Sequence, residues 1–134
     1  MTRLLTTIAL IAGGLIPLLV DISPSHLLNP DWDSHARVHE AWRLSTNSLI
    51  FLLAMYLLWV KGRELLPALL SLSIHMGFVG AAVLMPLYGG VPIGEGIPEP
   101  LPFGIPVNIF IFSSMFVLQL IVLLMIFKQK KQDL

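Results

Sequence analysis

Two histidines one helical turn apart are the residues in this sequence whose spacing most directly suggests chemistry. His35 and His39 are four residues apart, so a helix through this segment places both imidazoles on one face. That spacing lets one helix offer two nitrogen ligands to a single metal ion. Imidazole also exchanges protons near neutral pH, which suits acid–base work. The pair therefore predicts a zinc or iron site, with a structural or proton-handling role as the alternative.

Other polar residues surround this pair in the sequence. Glu40 or Asp21 would orient the histidines, and Arg37 would hold an anionic or carbonyl group of a substrate. His26 and Asp21 are the further candidate metal ligands. The remaining pocket or loop candidates are Asn29, Trp32, Trp42, Asn47, Glu95, Glu99 and Asn108. Together these residues predict a polar pocket that opens outward between helices.

His75 stands alone in the middle of an apolar run. An ionisable side chain at that depth normally faces a bundle interior or a watery cavity. It would serve as a proton relay or substrate contact, or be a neutral histidine bonded to another helix; bis-histidine haem is disfavoured because the other histidines lie near the outer surface. Gly77 and Gly80 predict close helix contact beside it. Ser71 adds a hydroxyl nearby, and Gln119 is expected to join helices.

The elements that must position these residues are four apolar runs. They cover residues 4–20, 44–60, 65–87 and 105–127. A bilayer core of about 30 Å needs roughly 20 helical residues, and an open sheet edge cannot survive in lipid. With 56% hydrophobic and 12% charged residues, the chain predicts an all-α fold, an integral membrane four-helix bundle in a single domain. Helix two would extend outward from about residue 34. No small-residue cleavage site follows the first run, which favours an uncleaved span over a signal peptide.

The distribution of basic residues predicts the orientation. One side of the predicted bundle carries Arg3, Lys61, Arg63, Lys128, Lys130 and Lys131, and the other only Arg37 and Arg43. Lys and Arg accumulate in cytoplasmic segments. We therefore expect both termini in the cytoplasm, with two long extracytoplasmic loops over residues 21–43 and 88–104. In a bacterium the membrane would be the inner one.

Composition excludes several classes of function. The formal net charge is zero, which argues against a nucleic-acid partner. The chain has no cysteine, so disulfides, thiolate nucleophiles and iron–sulfur ligation are excluded. Membrane desaturases and hydroxylases also use histidine pairs at this spacing, but they need more than the four histidines present.

The segment HLLNPDWDSHARVH, residues 26–39, carries a resemblance. It is similar to the signature of a small family of bacterial four-span membrane proteins, with a pattern close to H-L-F-N-P-x-W-P-P-H-A-R-F-H. Asp33 and Ser34 replace the two prolines of that pattern, and Asp33 is expected to cap helix two instead. The resemblance implies which residues matter and implies no activity. The architecture more loosely resembles the sterol-isomerase-like EXPERA proteins.

Two functions follow as hypotheses. In the first, an outward-facing histidine and acidic site binds or transforms a hydrophobic molecule, such as an isoprenoid, a sterol-like lipid or a quinone. In the second, the chain is a non-catalytic accessory subunit of a larger membrane complex, and its outer loops contact a membrane-protein partner or another copy. A transporter or channel is disfavoured because four short spans without an internal repeat make a poor alternating-access device.

Overall fold

The computed structural model describes residues 1–94 and 99–132, and this part of the chain is helical with connecting segments. Within these residues, four helices are long and apolar enough to cross a membrane: α1 (Thr2–Val20), α2 (Ser34–Val60), α3 (Leu65–Tyr88) and α4 (Val107–Gln132). A 3₁₀ turn, Pro102–Gly104, precedes α4. The helices pack so that the two long connections lie at one end, the loop end. The other end of the bundle, which we call the basic end, holds the N-terminus, the α2–α3 turn and the C-terminal end of α4.

Helix α1 is interrupted by a π-helical segment, Ile11–Leu15, that contains two adjacent glycines. A Cβ atom on Gly13 would lie 2.9 Å from the His75 Cε1 atom of α3. A Cβ atom on Gly14 would lie 2.5 Å from the Phe51 Cβ atom of α2. Both distances are shorter than the non-bonded contacts that Cβ atoms make in proteins. The absence of a side chain at these two glycines therefore allows α2 and α3 to pack closely against α1.

The predicted close contact at Gly77 and Gly80 is wrong. A Cβ atom on either residue would meet nothing within 4 Å. The reason is geometric: Gly77 follows His75 by two residues, which rotates it about 200° around α3, away from the face that His75 buries. Small residues do permit close packing around His75, but they belong to α1.

The basic end is closed by a tight turn between α2 and α3. Gly62 adopts a left-handed conformation with φ of +64°, which favours glycine. The Glu64 carboxylate then accepts hydrogen bonds from Thr2 Oγ1 at 2.6 Å and from Arg3 Nε at 2.9 Å. The Thr2 hydroxyl, followed by the Arg3 guanidinium, lowers the pKa of Glu64. This contact joins the start of α1 to the turn.

Helices α3 and α4 are antiparallel, and two contacts define their register. Phe78 stacks on Phe112 with ring centroids 4.3 Å apart. Ten residues further toward the basic end on each helix, Ala68 and Val122 share one buried apolar cluster. Both helices rise by the same amount per residue. The residues seven positions further toward the basic end, Ser71 on α3 and Gln119 on α4, therefore also lie at one level.

Helix α2 begins at Ser34, the residue at which the sequence predicts its start. Asp33 is the N-cap, and its Oδ1 atom accepts a hydrogen bond from the His35 backbone amide at 2.8 Å. One face of α2 packs inward through Leu44, which is 2% exposed. Because successive residues are about 100° apart around a helix, the inward position of Leu44 determines which of the predicted site residues on α2 point outward.

Candidate functional site

A cleft of about 590 Å³ lies at the loop end, between the two long connections. The side chains of interest that line it are His26, Asn29, Asp31, Trp32, Glu99 and Asn108. All of these except Asp31 are among the pocket, loop or ligand candidates of the sequence. The loops thus bring together residues that are more than seventy positions apart in the chain. We call this the loop-end cleft.

The first connection contributes His26 and Trp32 to the cleft. The His26 backbone amide bonds to the Ser23 carbonyl oxygen at 3.1 Å, and its Nδ1 atom lies 3.0 Å from Ser25 Oγ. The His26 ring packs edge-on against Trp32 with centroids 6.2 Å apart. Asn29 accepts a hydrogen bond from the Asp31 amide at 2.9 Å. Short-range bonds of this kind are how Ser and Asn shape turns.

The second connection contributes Glu99 and is held by Asn108. The Asn108 side chain donates to the Pro92 carbonyl oxygen at 2.9 Å. The Glu99 Oε2 atom is buried and has no hydrogen-bond partner among the described residues. Such a carboxylate oxygen is costly to leave unpaired. Glu95, the other predicted loop glutamate, lies outside the described residues.

An ion-pair network behind the cleft ties α1 to α2. Arg43 donates to the Asp21 Oδ2 atom at 2.5 Å and, through Nε, to Glu40 Oε2 at 2.9 Å. Asp21 Oδ1 also lies 4.0 Å from His26 Nε2, so the network reaches the cleft wall. Arg43 was not among the predicted site residues. Its spacing from Glu40 was a usable signal, whereas its pairing with Asp21 depends on tertiary structure.

His35 and His39 do not line the loop-end cleft. Their Nε2 atoms lie 3.0 Å apart, close enough for one metal ion to contact both. Both side chains are exposed on the side of α2 opposite Leu44, and the ring of Trp42 lies 6.1 Å from that of His39. The predicted ligands therefore separate into this exposed pair and the Asp21 and His26 pair. Within residues 1–94 and 99–132, no three His, Asp or Glu side chains are grouped to hold a metal ion.

Two other predicted residues of α2 lie away from the cleft lining. Arg37 is half-buried and follows His35 by about 200° of helix rotation, so it does not share the face of the histidine pair. Asn47 is half-buried beside α1, where its backbone carbonyl oxygen lies 3.1 Å from the position of a Cβ atom on Gly14. The two residues thus belong to the packed sides of α2.

His75 belongs to a buried polar layer deep between the helices, formed with Ser71 and Gln119. Its Nε2 atom lies 3.1 Å from the Ala9 carbonyl oxygen, and its ring packs edge-on against Phe112 with centroids 5.4 Å apart. The register of α3 and α4 places Ser71 and Gln119 at one level, one turn from His75. His75 Nδ1, Ser71 Oγ and both Gln119 amide atoms are buried without a partner among the described residues.

The residues that carry the sequence resemblance, 26–39, are divided between the loop-end cleft and the exposed side of α2. His26, Asn29 and Trp32 line the cleft, whereas His35 and His39 form the exposed pair. The resemblance itself stays a prediction. Comparisons with protein-family models, with curated proteins and with solved structures give no match to this chain.

Proposed function

We propose that this chain is a transmembrane four-helix bundle, with both termini in the cytoplasm, that binds or transforms a hydrophobic molecule at the loop-end cleft. The observation that carries the proposal is the convergence of His26, Glu99 and Asn108 on one cleft of about 590 Å³. A volume in this range suits the polar end and first rings or isoprene units of a lipid-like molecule. The asymmetric distribution of Lys and Arg supports the orientation.

The charges around the cleft narrow the class of ligand. Its lining includes the carboxylates of Asp31 and Glu99, and none of its described lining residues is a Lys or an Arg. An anionic headgroup would meet repulsion there. A neutral hydroxyl group fits better, because it can donate to the Glu99 Oε2 atom that has no partner among the described residues. We therefore favour a quinol or a sterol-like alcohol over an isoprenyl phosphate.

His26 is the group in the cleft best suited to move a proton. Its Nε2 atom lies 4.0 Å from Asp21, and Arg43 holds that carboxylate in place. A carboxylate beside an imidazole orients the ring. His26 would then exchange a proton with the ligand hydroxyl, with Asp21 as its positioning partner.

Tryptophan fluorescence tests this proposal directly. In a Trp42→Phe, Trp59→Phe background, Trp32 is the remaining tryptophan of the three and reports on the cleft. Decylubiquinol and cholesterol, added separately to protein in nanodiscs, serve as the probes. We expect saturable quenching or a spectral shift by one of them, weakened about tenfold or more by Glu99→Gln, the loss of one hydrogen bond to a charged group. Glu64→Gln at the basic end is the matched control. Unsaturable signals, or equal loss in both variants, would contradict the proposal.

The exposed histidine pair supports a second candidate function, that of an accessory subunit or homo-oligomer. His35 and His39 lie on the same exposed side of α2 as Trp42 and Leu49, and the latter two side chains are each 66% exposed. The pair supplies two nitrogen ligands, so a zinc or iron ion held there would need its remaining ligands from solvent, a partner or a second copy. Crosslinking in membranes, with and without zinc, tests this: zinc-dependent dimers or a fixed partner, lost in His39→Ala, would support it, and a monomer under both conditions would contradict it.

A further inference from the structure

A second and larger cavity, a groove of about 1030 Å³, lies at the basic end, far from the loop-end cleft. It runs between the α2–α3 turn and the end of α4. Its walls include the apolar side chains of Leu57, Leu66, Leu69 and Ile126. Leu66 is 50% exposed and Leu69 is 40% exposed, so the apolar wall is open to the surroundings of the bundle. We call this the basic-end groove.

The rim of the groove is cationic. Lys61, Arg63 and Lys130 line it, together with Glu64. The Glu64 carboxylate already accepts hydrogen bonds from Thr2 and Arg3, so its charge is compensated. Among the described lining residues, three are therefore cationic, and the acidic one, Glu64, is already paired with Thr2 and Arg3. Backbone hydrogen bonds fix the main chain of two of these residues at the turn made by Gly62: the Lys61 amide bonds to the Tyr56 carbonyl oxygen at 3.2 Å, and the Arg63 amide bonds to the Leu57 carbonyl oxygen at 2.9 Å.

This combination of walls and rim has a specific chemical complement. Cations beside an apolar wall match a phosphate group attached to hydrocarbon chains, and basic pockets between transmembrane helices bind anionic headgroups. We propose that the basic-end groove binds one anionic phospholipid, with its phosphate on Arg63, Lys61 and Lys130 and one acyl chain along Leu66 and Leu69. A free phosphate shares the headgroup chemistry but makes no use of the apolar wall.

The test compares two matched pairs of substitutions at the same end of the bundle. Arg63→Gln with Lys130→Gln removes two cations from the groove, whereas Lys128→Gln with Lys131→Gln removes two from the same end of α4 that do not line it. Protein is reconstituted in nanodiscs of phosphatidylcholine in which about one lipid in five is phosphatidylglycerol. Native mass spectrometry then counts the phosphatidylglycerol retained after transfer to detergent, and circular dichroism checks that each variant is helical.

We expect the wild type to retain one phosphatidylglycerol in preference to phosphatidylcholine. The groove pair should weaken that retention about thirtyfold, given the usual contribution of each cation near an anionic lipid. The α4 control pair should change it much less. If both double variants lose phosphatidylglycerol equally, its retention reflects general charge attraction and the groove assignment is wrong. A wild type that shows no preference for phosphatidylglycerol would also overturn the proposal. If inorganic phosphate displaces the lipid completely, or binds equally well, the occupant is a phosphate ion and the lipid assignment is wrong.

Discussion

The guanidinium of Arg43 on α2 donates to the carboxylate of Asp21 at the end of α1, with Nη2 and Oδ2 2.5 Å apart. This contact joins the loop ends of two helices and holds Asp21 beside His26. Arg43→Gln should lower the free energy of unfolding by about 1–2 kcal/mol, because it leaves two partly buried carboxylates without their cation. Thermal unfolding in detergent measures the change. Arg37→Gln, on the same helix, is the control, and equal stability of the two variants would show that the ion pair contributes nothing.

The glycine pair of α1 gives the sharpest packing prediction. Gly14→Ala should destabilise the fold by about 1–3 kcal/mol, because the new Cβ atom would lie 2.5 Å from Phe51 Cβ and 3.1 Å from the Asn47 backbone oxygen. Gly13→Ala should lower the free energy of unfolding by a similar or smaller amount. The matched control is Gly77→Ala, whose Cβ atom meets nothing and which should raise helix propensity. A loss of stability in Gly77→Ala as large as that in Gly14→Ala would contradict the packing described.

Glu64 predicts a dependence of stability on pH. Hydrogen bonding from Thr2, and then the Arg3 guanidinium, lowers its pKa below the ordinary value of 4.5. A carboxylate whose pKa is lower in the folded state stabilises the protein fully above its unfolded pKa, and the contribution is lost as pH falls through the folded value. Melting temperatures measured from neutral pH to below that range should therefore fall less in Glu64→Gln than in the wild type. Thr2→Val should reduce the difference, and identical pH profiles would refute the prediction.

The histidine pair predicts the behaviour of the protein toward zinc. With Nε2 atoms 3.0 Å apart, His35 and His39 should act as one unit, so His35→Ala and His39→Ala should each abolish zinc binding measured by titration calorimetry. His26→Ala should leave it unchanged, since His26 lies in the cleft with Asp21. Zinc binding that survives both α2 variants, or that disappears in His26→Ala, would show that the ligands are different ones.

The polar layer predicts an unusual response to a polar-to-apolar substitution. Both amide atoms of Gln119 are buried without a partner among the described residues. Gln119→Leu should leave the free energy of unfolding unchanged or raise it by up to about 1 kcal/mol, because it removes an unsatisfied group of similar size. His75→Leu should instead lower it by about 1 kcal/mol, since His75 lies at hydrogen-bonding distance from Ala9. A clear loss of stability in Gln119→Leu would mean that the amide has a partner, such as a buried water.

Much of the helical layout was predictable from the sequence, because the apolar runs are long enough to cross a membrane and a segment that crosses lipid must satisfy its own backbone. Hydrogen bonds within the segment make each long apolar run a helix, whatever its neighbours are. The Asp33 cap and the proximity of His35 to His39 are also local, since they depend on residues two and four positions apart. These features could be derived before any packing was known.

The faces of the helices were decided by the tertiary structure alone. In a soluble helix the apolar side marks the core, but in lipid both the buried and the exposed sides are apolar, so periodicity does not identify the inward face. For that reason the sequence could not place the histidine pair outside the cleft, nor locate the close contact at Gly13 rather than Gly77. The pairing of Asp21 with Arg43 and the common level of Ser71 and Gln119 likewise arise from how whole helix surfaces fit together.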